Sequence, residues 1–150
     1  MSIKNWIAKT DFEQLLATLY RSQNAPQWRI LLFKYAYRYQ DTYPFDCLED
    51  AFAFLEEELK GNNIRVLLTE ELEEIQTAVS YAMGEYCFSL TEIAAVVNRL
   101  LNTEPLSQSE IQTMINHIWE AYSCNLNPSQ FIEREDHILT QLVKKYISIH

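Results

Sequence analysis

Residues 27–40, QWRILLFKYAYRYQ, decide whether this chain contains any β-structure. Their apolar positions fit both the helical and the strand period. A helix would place these residues on one face: Trp28, Leu31, Leu32, Tyr35 and Tyr39. A strand would place these residues, at every second position, on one face: Phe33, Tyr35, Tyr37 and Tyr39. No second segment has a clear strand pattern, and a lone strand would leave its backbone N–H and C=O groups without partners. We therefore predict a helix here and an all-α fold.

Helix starts elsewhere are marked by capping residues. Three of them have a Glu three positions later, the capping-box spacing in which each residue bonds the other's backbone N–H: Thr10 with Glu13, Ser89 with Glu92, and Ser107 with Glu110. Thr69 is expected to cap a further helix, and Asn127 followed by Pro128 to open the last one. Helix ends are expected at Asn24-Ala25-Pro26, at the turn 41–44, and at Gly61 after a helix over 46–60.

These signals predict one domain spanning residues 1–150, an irregular or orthogonal bundle of about six to seven helices, with a possible short helix near residues 3–8. Apolar residues make up 48% of the chain, which is enough for a packed core. Only two glycines and four prolines occur, too few for the tight turns of an all-β fold.

The start of the chain lacks the apolar core of a secretory signal, and no apolar run approaches the roughly 18 residues of a membrane span. We expect a cytoplasmic protein without a membrane segment. Cys47, Cys87 and Cys124 are far apart and form no Cys-x-x-Cys motif, so they are expected to be buried free thiols.

No sequence pattern predicts catalysis or a cofactor. The chain has neither a Gly-x-Ser-x-Gly elbow nor a glycine-rich phosphate loop. Two His/Glu pairs at helical spacing, His117 with Glu120 and Glu133 with His137, could bring metal ligands together on facing helices. Their order differs from that of carboxylate-bridged iron bundles, so we expect no metal and no enzyme activity.

Nucleic-acid binding is not predicted either, although residues 89–122 resemble a helix-turn-helix. Between Ile75 and Tyr122 the only Lys or Arg is Arg99, against five Glu. Attraction to phosphates supplies most non-specific affinity for nucleic acids, so a segment of this sign would be repelled.

Acidic charge is concentrated in one part of the sequence. Residues 1–45 carry six basic and three acidic groups, residues 46–74 two and ten, and residues 75–150 four and eight, for an overall net charge of −9. Glu70 to Glu74 lie in the first turns of a predicted helix, where they stabilise its positive end. Glu56, Glu57 and Glu58 lie in the last turns of another, where negative charge is unfavourable by about 0.3–1 kcal/mol per group, so a role other than helix stability is expected.

These acids, with nearby tyrosines, are the predicted partner-binding residues: Asp46, Glu49, Asp50, Glu56, Glu57, Glu58, Glu70, Glu71, Glu73, Glu74, Tyr39 and Tyr43. Clustered carboxylates steer a basic protein, and tyrosines make good interface anchors. A solubilising surface is the alternative explanation for the charge, and burial in the core is the alternative for the tyrosines.

Small size, acidity and a helical build together resemble, in general character, the bacterial toxin-immunity proteins that inhibit nucleases. The predicted function is therefore neutralisation of a basic protein partner, most simply a nuclease toxin. The alternative is a non-catalytic adaptor or subunit of a larger assembly, docking through exposed apolar groups of the segment from Trp28 to Tyr39.

Overall fold

A computed structural model describes residues 12–42, 46–61, 69–84, 88–122 and 128–147. Within these ranges the chain forms seven α-helices, one short 3-10 helix, Ser22–Asn24, and no strand. The helices are α1 (Phe12–Leu19), α2 (Ala25–Thr42), α3 (Asp46–Leu59), α4 (Thr69–Met83), α5 (Phe88–Leu101), α6 (Gln108–Tyr122) and α7 (Pro128–Tyr146). The predicted all-α bundle is confirmed.

Helix α2 lies at the centre, in contact with α3, α5, α6 and α7. It contains the ambiguous segment, and the helix prediction for that segment is confirmed. Trp28, Leu31, Leu32, Tyr35 and Ala36 are all fully buried because helices pack around α2 on several sides. Phe33 and Tyr37, the two aromatic residues outside the predicted helical stripe, both pack against the ring of Phe52 on α3. These contacts explain why apolar residues alternate in this part of a helix.

Helix α5 is the second central element. It contacts α2, α3, α4 and α6, while α1 packs on α6 and α4 packs on α3. Its inward stripe joins the common core, which also contains Leu48 and Leu55 of α3, Val79 of α4 and Ile118 of α6. None of the helices in the described ranges combines the length and apolarity needed to cross a bilayer.

One predicted capping box is confirmed at α6. The N–H of Glu110 donates to Ser107 Oγ at 3.2 Å, and the N–H of Ser107 donates to Glu110 Oε1 at 3.1 Å. Gly61 ends α3 with a φ of 89°, in the left-handed region that glycine adopts without strain. The caps expected at Thr10 and Asn127 lie outside the described residues, although Pro128 is the first residue of α7.

Two boundary predictions were wrong. Ala25 and Pro26 do not end the first helix but open α2, because a proline in the first helical turn needs no N–H partner. Helix α5 begins at Phe88, so Ser89 lies inside its first turn. The Ser89 hydroxyl donates to the carbonyl of Ala121 on α6 at 2.9 Å, and Glu92 pairs with His117 of α6. These two side chains therefore join α5 to α6.

Candidate protein-binding surface

A groove lined by carboxylates runs between α3 and α4. Leu48, Phe52 and Leu55 turn the apolar face of α3 to the core, which leaves Asp50 and Glu57 on its outer side. Two acids of α4 face them across the groove, and its apolar lining consists of Ala53, Phe54, Ile75 and Ala78. The four carboxylates of this groove, of about 380 Å³, are Asp50, Glu57, Glu71 and Glu74.

A second cleft, of about 430 Å³, lies on the other side of α3, against α2. It is lined by Tyr37, Gln40, Asp41, Glu49, Phe52, Ala53 and Glu56. Ala53 is exposed and lines both depressions, so the groove and the cleft are neighbouring parts of one surface separated by α3. We call this surface, formed by the α3–α4 groove and the α2–α3 cleft, the acidic face.

Few bases neutralise the acidic face. Helices α3 and α4 contain no Lys or Arg. Lys60, just after α3, places its Nζ 3.5 Å from Glu56 and 3.6 Å from Glu57, but its side chain is 59% exposed. Among the described residues no ion pair is found for Glu71 or Glu74. Counted over the described residues, the groove therefore has an excess of negative charge.

Most of the predicted acids lie on or beside this face. Glu70, Glu73 and Glu74 line a shallow depression along α4 with Thr77, and Asp46 is exposed at the start of α3. Glu58 does not belong to the face, because its side chain is only 11% exposed and pairs with Arg29 of α2. Arg29 also donates to the carbonyl of Leu100, in the last turn of α5, at 2.5 Å. The role of Glu58 is therefore to join three helices.

Of the two predicted tyrosines, the structure describes Tyr39, and it is not at the surface. Tyr39 is 4% exposed and packs edge-on against the ring of Tyr122, at 5.6 Å between ring centroids. Tyr43 lies outside the described residues. The exposed tyrosine of this region is Tyr37, at 39%, which the prediction had left out of the binding residues. The rest of the segment from Trp28 to Tyr39 is largely core, so it does not offer the apolar docking surface of the adaptor hypothesis.

Sequence reasoning also missed a buried polar network centred on Glu135 of α7. Glu135 is fully buried, and Arg38 of α2 holds it with two hydrogen bonds, Nη2 to Oε1 at 2.8 Å and Nη1 to Oε2 at 3.1 Å. Tyr35 donates its hydroxyl to Glu135 Oε1 at 3.0 Å and accepts the indole N–H of Trp119 at 2.8 Å. Three helices, α2, α6 and α7, thus contribute to one buried network.

The same network determines the protonation state of the Tyr35 hydroxyl. Burial raises the pKa of Tyr35 well above its ordinary value of 10.0, and the charge of Glu135 raises it further. Tyr35 therefore stays protonated and remains a donor to Glu135. The Arg38 guanidinium also lies 4.3 Å from the ring centroid of Tyr35 and 4.4 Å from that of Tyr122, in cation–π contact with both. The sequence carried one signal of this site: Glu135 falls four residues before the inward-facing Leu139.

The residues considered as metal ligands lie in different surroundings. His117 pairs through Nδ1 with Glu92 of α5, and Glu120, Glu133 and His137 are exposed. Over the part of the chain that the structure describes, no three His, Cys, Asp or Glu side chains are grouped so that they could hold a metal ion. The helix-turn-helix candidate is the packed pair α5 and α6, whose exposed polar residues include Ser109, Thr113 and Asn116.

Comparison with known proteins gave no relative: no protein-family model, no curated protein and no solved structure matches the chain. The geometry of the acidic face and the chemistry of its residues are therefore the basis for inferring a function.

Proposed function

We propose that this protein is a binding module, acting without catalysis, whose acidic face recognises a basic protein partner. The observation that carries the proposal is the α3–α4 groove, in which Asp50 and Glu57 stand opposite Glu71 and Glu74 over an apolar lining. Carboxylates at the rim attract and orient a cationic surface. Burial of the apolar lining beneath a partner stabilises the complex.

The distribution of charge supports steering over a distance. The net charge of −9 is concentrated on α3 and α4, which carry no Lys or Arg. A one-sided distribution of this kind can raise association rates with a basic protein by about 10- to 1,000-fold at low ionic strength. Association with the partner is thus expected to slow when salt is added, since the Debye length falls to about 8 Å at physiological salt.

The particular form we propose is neutralisation of a nuclease toxin in a bacterial cytoplasm. Nuclease clefts are basic because they bind phosphates, and a carboxylate-lined surface can cover such a cleft in place of nucleic acid. The test is inhibition of a nuclease domain encoded next to this gene, measured as cleavage of DNA or RNA with increasing amounts of the protein. Full nuclease activity at a molar excess of the protein would reject this form of the proposal.

Binding of a basic partner in general is tested by reversing charges in the groove. The probe is a fluorescently labelled, cationic amphipathic helical peptide, and stopped-flow mixing gives its association rate. We expect Glu71→Lys with Glu74→Lys to slow association about tenfold or more at low salt, with a smaller effect at high salt. The control is Glu104→Lys with Glu133→Lys, which changes the net charge equally at exposed positions outside the acidic face. Equal slowing by both double variants would show that only total charge matters.

A further inference from the structure

The α2–α3 cleft differs from the groove in having an exposed aromatic ring. Tyr37 is 39% exposed at this cleft. Its ring is held from within by Phe52, 5.4 Å away at 84°, and by Phe33, 5.8 Å away. Because two buried rings fix Tyr37, little rotamer entropy remains to be lost when a partner packs on it.

Carboxylates surround this tyrosine on two helices. Asp41 lies four residues further along α2, and Glu49 and Glu56 lie on α3 one on each side of Phe52. Two lysines are nearby: Lys60 reaches Glu56, and Lys34 lies 5.6 Å from the Phe33 ring centroid. Lys60 can leave Glu56 at little cost because an exposed ion pair of this kind contributes only about 0–1 kcal/mol.

An aromatic ring beside several carboxylates is suited to arginine more than to lysine. A guanidinium is planar, stacks on aromatic rings and bonds carboxylates through two parallel N–H groups, whereas an ammonium is a compact and strongly hydrated charge. The chain itself holds an arginine in this way, since Arg38 contacts the rings of Tyr35 and Tyr122 while making two hydrogen bonds to Glu135.

We infer that the α2–α3 cleft receives an arginine side chain of the basic partner, with Tyr37 as the residue that selects arginine over lysine. The partner is thus a protein that presents an arginine beside an apolar patch. The arginine stacks on Tyr37 and bonds the carboxylates of the cleft, while the rest of the basic surface crosses Ala53 to the α3–α4 groove. This inference rests on the proposed function and assigns one specificity contact within it.

The experiment compares two labelled helical peptides that are identical except that every basic residue is Arg in one and Lys in the other. Fluorescence anisotropy gives the dissociation constant of each. We expect the Arg peptide to bind about tenfold more tightly, a difference equal to about 1.4 kcal/mol. Tyr37→Leu should remove most of this preference by weakening the Arg peptide, whereas Tyr37→Phe, which keeps the ring, should retain it.

Tyr81→Leu is the matched control, because Tyr81 of α4 is 69% exposed and lines neither the cleft nor the groove. It should leave the preference for the Arg peptide unchanged. Equal binding of both peptides, weakened in both by Glu71→Lys with Glu74→Lys, would overturn the arginine inference while supporting the proposed function. Failure of both peptides to bind would overturn the two together. Loss of the preference in Tyr37→Phe as well as in Tyr37→Leu would exclude stacking as its cause.

Discussion

Glu135 and Glu74 show how differently the same side chain is used in two regions of this molecule. Glu135 of α7 is fully buried and is held by Arg38 and Tyr35. Glu74 of α4 is exposed at the α3–α4 groove. A buried charge is tolerated only when its partners are fixed, so Glu135 is part of the fold. The energy of an exposed charge depends on the salt concentration and on neighbouring charges, so Glu74 contributes little to stability and stays accessible to a charged molecule that approaches the groove.

The largest expected effect comes from breaking the buried pair. Glu135→Ala leaves the Arg38 charge without its partner in a largely buried site, and we expect a loss of about 3–5 kcal/mol in the free energy of unfolding. Urea denaturation followed by circular dichroism measures this loss. The double variant Arg38→Met with Glu135→Leu should recover much of it, since no uncompensated charge remains. A loss below about 1 kcal/mol in Glu135→Ala would show that Arg38 is well solvated without its partner.

Glu57 and Glu58, neighbours near the end of α3, should differ in their effect on stability. Glu58 is 11% exposed and pairs with Arg29, whereas Glu57 is 51% exposed and lies 3.6 Å from the Nζ of Lys60, whose side chain is 59% exposed. We expect Glu58→Gln to cost about 1.5–3 kcal/mol, the range for a hydrogen bond to a charged group. Glu57→Gln should change stability by less than about 0.5 kcal/mol. Equal costs in urea denaturation would contradict the distinction between the two positions.

Periodicity and capping chemistry predicted most of the fold because both are local. The capping box at Ser107 and Glu110 and the terminating Gly61 are the clearest cases. Pro26 was wrongly predicted to end a helix, because proline is common both after a helix and in the first turn of one. The structure shows the second case, with Pro26 in the first turn of α2. Ser89 has the correct residue type for a cap, but its hydroxyl instead bonds Ala121, a contact that depends on tertiary packing.

A smaller effect is expected at Glu110, which combines a cap with an ion pair to Arg99. Arg99 and the N–H of Ser107 lower the pKa of Glu110 from its ordinary value of 4.5 to about 2. A carboxyl with a lowered pKa stabilises the fold above its unfolded pKa, and this contribution is lost as the pH falls through about 2.

Glu110→Gln keeps a capping side chain but removes the charge. At pH 7 it should cost about 0.5–1 kcal/mol, in line with a partly exposed pair. The difference from the parent protein should shrink as the pH is lowered from 4.5 to 2, measured by urea denaturation at each pH. Glu104→Gln, at an exposed position in the preceding loop, is the control and should show neither effect. A pH-independent difference would mean that the ion pair is not its source.

The smallest effect is expected in the groove itself. Glu74→Gln removes one of four carboxylates that repel each other, so it should raise the free energy of unfolding by less than about 0.5 kcal/mol at low salt. In about 1 M salt, where the Debye length is about 3 Å, the difference should vanish. Thermal denaturation at the two salt concentrations measures it. A marked destabilisation would show that Glu74 is bonded within the fold.

The acidic face could be predicted from sequence only in part. Charge counts identified α3 and α4 as the most acidic part of the chain. The helical period could also have shown that Glu58 lies on a different side of α3 from Asp50 and Glu57. The helical period of α2 already put Tyr39 on the apolar stripe and left Tyr37 off it, so their different exposure was available from the sequence. The packing of Tyr37 on Phe33 and Phe52 depends on how the helices meet, and no local pattern determines it. The network of Glu135 was missed for the same reason, because Arg38 is 97 positions away along the chain.

The separation of Arg38 and Glu135 along the chain has a consequence for how this sequence can evolve. A single substitution that removes the charge of either residue leaves the other half of the pair buried without its partner, and we expect the resulting protein to be less stable. We therefore expect the loss of one charge to be accompanied by the loss of the other, even though more than half of the chain lies between them. When sequences of related chains are compared, positions 38 and 135 should vary as a pair, independently of the carboxylates on α3 and α4.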